Sequence, residues 1–175
     1  MASITLWISD TYDSLWTAIR YGTFQVVSAM TTTGFTTDTF FAWPLFLPVL
    51  LICIAFIGGC AGSTAGGMKV IRIILLYRQA AREIRRLIHP HAVIPVKFGG
   101  QNTSPTVMDA IWGFVFLFIA SFATMTVALT ATGLDAETSY SAVAACITNL
   151  GPALGDAGPN YSTLNPIAKL ILCAA

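Results

Sequence analysis

Thr31-Thr32-Thr33-Gly34-Phe35-Thr36 and Thr148-Asn149-Leu150-Gly151-Pro152-Ala153 decide how this chain folds. Each short loop interrupts a strongly apolar sequence and follows a helix-like stretch that ends in mostly small residues. At the one offset that carries Gly34 onto Gly151, Val26 falls on Val143, Ser28 on Ala145, Ala29 on Cys146 and Thr31 on Thr148. The spacing suits a membrane hairpin unit rather than a soluble repeat, so the duplication is architectural.

Composition agrees. Hydrophobic residues make up 55% of the 175 and charged ones 10%, with a mean hydropathy of +0.73, outside the range of soluble globular domains. An integral membrane protein is expected. The net charge of +1 conceals an asymmetry: Lys69, Arg72, Arg78, Arg82, Arg85, Arg86 and Lys97 share one segment with a single acid, Glu83. That segment, 69–97, should face the cytoplasm. The acids Asp10, Asp13, Asp38, Asp135, Glu137 and Asp156 flank the two loops instead, either as an acidic outer mouth that concentrates cations or as solvated loop and helix-cap residues.

The periodicity predicts a re-entrant helix over 13–30 and an apolar crossing over 41–57. Gly58-Gly59-Cys60-Ala61-Gly62-Ser63-Thr64-Ala65-Gly66-Gly67 then breaks that crossing. No helix survives such a run, since each interior glycine costs about 1 kcal/mol relative to alanine. The crossing resumes at Met68 and runs into the basic stretch. Broken backbone at membrane depth is tolerated only where it is buried in protein or lines a wet cavity, so the glycine run should border a polar path. A cytoplasmic turn over 89–101 is expected to pair Ala92-Val93-Ile94 with Val96-Lys97-Phe98. A full crossing over 107–132, a second pore helix over 135–147 and the start of another crossing at Pro166 complete the order. The organisation is therefore a pore repeat over 1–88, a cytoplasmic link over 89–106 and the next pore repeat over 107–175, a fragment of a larger protein with no cleavable signal peptide visible at its start.

The four cysteines, Cys53, Cys60, Cys146 and Cys173, show neither metal-ligand nor disulfide spacing and read as small packing residues. His89 and His91 lack a third ligand. Ser63, Thr64 and the two histidines offer no nucleophile and base with an orienting partner, so no enzyme, no cofactor and no nucleic-acid partner are expected.

A dehydrated cation needs a ring of oxygens, and backbone carbonyls supply it where the chain runs extended toward a pore axis. Gly34 and Gly151 permit the unusual φ that such a run demands, and the threonine hydroxyls can hold the strand. Helix C-termini near Met30 and Ile147 direct partial negative charge toward the same space.

Thr31 to Thr37, the run from Gly58 to Lys69, and Asn149-Leu150-Gly151-Pro152 together resemble the Trk/Ktr/HKT superfamily of potassium transporters, over nearly the whole chain. The resemblance implies an all-α membrane protein built from potassium-channel-like repeats of outer helix, pore loop and broken inner helix, four around one pore. Two are visible in this chain, matching the third and fourth. It implies ion-binding filter positions at Thr32, Thr33, Gly34 and Phe35 and at Asn149, Leu150, Gly151 and Pro152, with potassium as the cargo. It implies an intramembrane gate formed by Gly58, Gly59, Gly62, Ser63, Thr64, Gly66 and Gly67. It further implies a homodimer in contact with membrane lipid and with a cytosolic nucleotide-binding regulatory ring. The function expected is channel-like potassium uptake through the carbonyl filter. The alternatives are a secondary active cation symporter and a sodium-permeable member of the same family.

Overall fold

The computed structural model describes residues 2–9, 11–12, 14–44, 46–89, 94–158 and 160–175. They form seven helices and one two-residue hairpin: α1 (Ala2–Ile8), α2 (Leu15–Thr31), α3 (Phe46–Ile57), α4 (Val70–Ile88), β1 (Lys97–Phe98), β2 (Gln101–Asn102), α5 (Pro105–Thr130), α6 (Ala136–Ile147) and α7 (Pro166–Cys173).

Local chemistry explains most of the boundaries. Ser104, Asp135 and Asn165 cap α5, α6 and α7, their side chains accepting from the N–H groups of Val107, Glu137 and Ile167. Pro105 and Pro166 occupy the first helical positions, where their missing N–H costs nothing. The crossing expected over 41–57 is shorter than the periodicity suggests. Trp43, forced by Pro44 into an extended backbone (ψ 161°), separates a 3-10 turn at Phe40–Ala42 from α3. Helix α1 was not expected, because its seven residues carry no cap or full apolar core. It is held by packing: Leu6 is fully buried and Ser3 closes on Gly22 of α2, where an added Cβ would come within 3.3 Å of the Ser3 backbone.

The pairing expected between 92–94 and 96–98 falls partly outside the described residues. Lys97 and Phe98 pair with Asn102 and Gln101, because Gly99 and Gly100 both take positive φ (59° and 82°) and build a two-residue turn of the primed type. Ala92 and Val93 lie outside the described residues, as do Asp10, Asp13, Pro90 and His91. The packing role expected of the cysteines holds only for half-buried Cys146; Cys53, Cys60 and Cys173 are exposed, and all four are free.

Helix α6 sits at the centre of the larger core. Thr138, Ser139, Ser141 and Ala142 to Ala145 are all buried, and α3, α5 and α7 pack around them. Small residues on every face let these neighbours approach closely. Helix α2 joins this core through α3, while α4 and α5 share a second cluster of Leu75, Val96, Met108 and Ile111. Among the described residues, α5 alone is long and apolar enough to cross a membrane, and Trp112, Phe116, Leu117, Ile119 and Val127 on it are exposed, as lipid contact requires.

Candidate functional site

Helices α2 and α6 end in the same hydrogen-bonded motif at the same register. The Thr32 N–H donates to the Ala29 carbonyl (3.2 Å) and the Thr33 N–H to the Ser28 carbonyl (3.0 Å). In the second copy the Asn149 N–H donates to the Cys146 carbonyl (3.0 Å) and the Leu150 N–H to the Ala145 carbonyl (2.8 Å). This is the Schellman arrangement, and it requires a left-handed residue just past the helix. Thr32 (φ 51°) and Asn149 (φ 55°) take that role, and two residues later Gly34 (φ 76°) and Gly151 (φ 95°) take a second positive φ. Two positive-φ residues within three lead each chain off its helix as an irregular strand whose carbonyls are not consumed by helix bonding.

The two strands lie side by side. A Cβ on Gly34 would stand 2.1 Å from the Leu150 carbonyl oxygen and 3.3 Å from Pro152 Cδ, so only glycine admits this approach. Gly151, by contrast, has open space where its Cβ would be. Phe35 is 72% exposed, and Leu150 is buried.

Hydroxyls brace individual carbonyls. Ser28 Oγ donates to the Phe35 carbonyl at 2.7 Å, and Tyr161 Oη donates to the Gly151 carbonyl at 2.5 Å. Thr31 Oγ1 donates to the Val27 carbonyl (2.8 Å) and lies 2.7 Å from Thr33 Oγ1. Behind the second strand, Ser141 Oγ accepts the Leu154 N–H (3.0 Å), and Thr138 Oγ1 accepts the Asp156 N–H (3.2 Å).

The glycine run between α3 and α4 is pinned at its neck, where the Met68 N–H donates to the Phe56 carbonyl (2.9 Å) and the Val70 N–H to the Gly59 carbonyl (3.1 Å). A Cβ at Gly58 would stand 2.2 Å from the Gly66 carbonyl, one at Gly67 2.6 Å from the Ala55 carbonyl, and one at Gly59 2.7 Å from Ser63 Oγ. Gly62 and Thr64 belong to the exposed tip, which Ser63 Oγ ties to the Cys60 carbonyl (2.8 Å), while the Lys69 ammonium donates to the Ser63 carbonyl. The inner side of the run meets both strands at once. The Gly66 N–H donates to Thr32 Oγ1 (2.9 Å), and a Cβ on Gly66 would fall 1.9 Å from the Thr148 carbonyl oxygen.

On the other side of the first strand, the Tyr12 hydroxyl donates to the Asp38 carboxylate and accepts from Trp43 Nε1 at 3.2 Å, with its ring stacked on Tyr21 at 5.3 Å. Burial, reinforced by the bond to Asp38, pushes the Tyr12 hydroxyl up to about 12, and the same bond holds the Asp38 carboxyl below its ordinary range. A cavity of about 460 Å³ lined by Thr36, Asp38, Phe41, Pro152 and Gly158 opens between the far ends of the two strands. Asp135 serves as a helix cap rather than a free mouth charge. Among the described residues no cluster of three histidine, cysteine or carboxylate groups could hold a metal.

Every expected filter and gate position thus falls in one contiguous region. The partners that sequence reasoning missed are Tyr161, Tyr12 and Trp43, together with the bond from Ser28 to the Phe35 carbonyl and the use of the Thr32 hydroxyl by Gly66. Ser28 and Thr32 stand in the stretch that the duplication marks; the other three do not.

The model of the TrkH family, described as cation transport proteins, matches residues 12–175. The chain belongs to that family. It is 48% identical to the Trk system potassium uptake protein TrkH of Salmonella typhimurium over 174 residues, which is 99% of this chain and 36% of that protein. The TrkG protein of Escherichia coli is 35% identical over 175 residues, 100% of this chain and 36% of the relative. The crystal structure of the potassium transporter TrkH from Vibrio parahaemolyticus superposes with a TM-score of 0.91 at 48% identity, covering 99% of this chain and 37% of that one. The chain therefore spans about a third of the length of the relatives it matches. The all-helical membrane-transporter fold follows from these likenesses.

Proposed function

We propose that this chain contributes two pore loops to a potassium-uptake pathway, with Thr32, Thr33, Gly34 and Phe35 on one wall and Asn149, Leu150, Gly151 and Pro152 on another. Support comes chiefly from one observation: Gly34 packs on the Leu150 carbonyl so closely that no side chain fits between the two strands. Parallel Schellman turns release backbone oxygens from helix bonding at matched positions. Such oxygens replace the hydration shell of a cation without protonation chemistry.

The run from Gly58 to Gly67 serves as the gate. Gly66 is hydrogen-bonded to the hydroxyl of Thr32 and lies against the Thr148 carbonyl, so the loop closes the helix side of both strands in this conformation. Opening requires that bond to break and the neck at Phe56 and Gly59 to flex. Residues 1–88 and 107–175 act as successive pore repeats joined by 89–106, and the basic segment 69–97 faces the cytoplasm of an inner membrane. Assembly as a homodimer under a nucleotide-binding ring is what the family likeness suggests.

The test is uptake of potassium, rubidium and sodium by the full-length protein carrying Gly34→Val or Gly151→Val. Each substitution is expected to abolish potassium flux, since valine tolerates positive φ poorly. Unchanged flux in both would overturn the proposal.

A further inference from the structure

Helix α4 places three arginines, Arg78, Arg82 and Arg85, on one stripe at four- and three-residue steps, and the chain returning through Ile94, Pro95 and Val96 brings Lys97 to face them. The four cations line one cleft of about 360 Å³ whose remaining walls include Tyr77, Ile94 and Val96. Arg78 Nη1 donates to the Lys97 carbonyl, which fixes the far wall to the helix. Glu83 pairs with Arg82 (2.9 Å) and Arg86 (3.7 Å), and among the described residues no carboxylate approaches Arg78, Arg85 or Lys97 within ion-pair distance. The cleft therefore holds net positive charge with an apolar lining: Arg82 is paired with Glu83, while Arg78, Arg85 and Lys97 have no carboxylate partner among the described residues.

Its depth follows from helix geometry. Arg72 lies over the Phe114 ring at 4.1 Å, and Leu75 clusters with Ile111 and Met108, so α4 descends as α5 ascends. Arg78 is six residues past Arg72, about 9 Å along the axis, while the first residue of α5 is nine residues from Phe114, about 13 Å away. Arg78 thus sits about 4 Å inside the start of α5, and Arg85 about 6 Å beyond it. A 26-residue helix is about 39 Å long against about 30 Å of hydrocarbon, leaving an overhang of about 4 to 5 Å at each end. The guanidinium groups accordingly span the edge of the hydrocarbon and the headgroup layer.

We infer that this cleft binds an anionic phospholipid, its phosphodiester held by Arg82, Arg85 and Lys97 and its glycerol end against Tyr77 and Ile94. A soluble polyanion would gain nothing from the apolar walls or the depth, and guanidinium forks suit a phosphodiester. The inference rests on α5 crossing a membrane and not on potassium permeation.

Adjacent arginines supply the test, because Arg85 lines the cleft and Arg86 does not. Purified full-length protein, exchanged into zwitterionic phosphatidylcholine and titrated with phosphatidylglycerol, is assayed by native mass spectrometry for retained lipid. Wild type should retain phosphatidylglycerol preferentially. Arg85→Gln should lower that preference about fivefold, and Arg86→Gln, which removes the same charge one residue away, should leave it unchanged. Equal losses in the two variants would reduce the effect to diffuse surface charge and overturn the site. So would displacement of the lipid by millimolar inorganic phosphate, or variants that keep the lipid preference while losing a soluble protein partner. Retention is read without flux, so failure of the permeation reading and failure of this one are separable.

Discussion

The two strands that follow α2 and α6 leave their helices by the same turn but are supported differently. The first, after α2, is braced by its own neighbourhood: Ser28, one turn back, holds the Phe35 carbonyl, and Thr31 and Thr33 share a hydroxyl contact. The second, after α6, is braced on Gly151 by Tyr161 from farther along the chain, while Ser141 and Thr138 of α6 itself hold the chain beyond. The residue matching Ser28 is Ala145, so the second copy lacks the local hydroxyl and recruits a distant one. A duplicated backbone geometry can thus be retained while the side chains that enforce it diverge.

The glycines should separate the copies most sharply. Gly34→Ala meets both positive φ and the Leu150 carbonyl, and is expected to reduce potassium flux at least about a hundredfold, whereas Gly151→Ala meets backbone strain alone, of about 1 to 2 kcal/mol, and should cost roughly tenfold. Rubidium uptake by the two variants of the full-length protein measures the difference; equal losses would erase it.

Next come the braces. Ser28→Ala and Tyr161→Phe each remove one net hydrogen bond, about 1 kcal/mol, and each should lower potassium-over-sodium selectivity severalfold at unchanged protein yield. Reversal potentials in mixed potassium and sodium report it. An effect of Ser28→Ala without one of Tyr161→Phe would make the second strand a passive wall.

The glycine run divides its contacts between the copies, a side-chain bond to Thr32 and backbone packing on Thr148. Thr32→Val leaves the Gly66 N–H unpaired, a cost of about 1 to 3 kcal/mol to the closed loop, and should raise the open fraction, while Thr32→Ser keeps it near wild type. Single-channel or stopped-flow flux measurements distinguish them.

The smallest effect belongs to the tether that only the first strand possesses. Because the bond from Tyr12 holds the Asp38 carboxyl below its ordinary range, it stabilises the fold fully above about pH 4 and loses that contribution as pH falls through the depressed value. Thermal melting of wild type and Tyr12→Phe should therefore differ at neutral pH and converge in acid.

Much of this is legible in the chain itself. The paired loops stood out because glycine after a threonine run is needed where φ turns positive, and the broken crossing because ten residues containing five glycines cannot stay helical. What escaped depends on distance in sequence. Tyr161 meets Gly151 and Tyr12 meets Asp38 only after folding, and no local pattern marks either pair. The Gly99-Gly100 turn was written in the chain but outweighed by the β-branched run before it. Helix α1 exists through the gap at Gly22 rather than through its own propensity.

Thallium(I), a potassium mimic with strong anomalous scattering, offers the most direct measurement on the full-length protein. The account predicts thallium density between the Thr32–Phe35 and Asn149–Pro152 strands, within coordination distance of their carbonyl oxygens and lost in Gly34→Val. Thallium bound elsewhere in a flux-competent protein, with nothing between these strands, would contradict it.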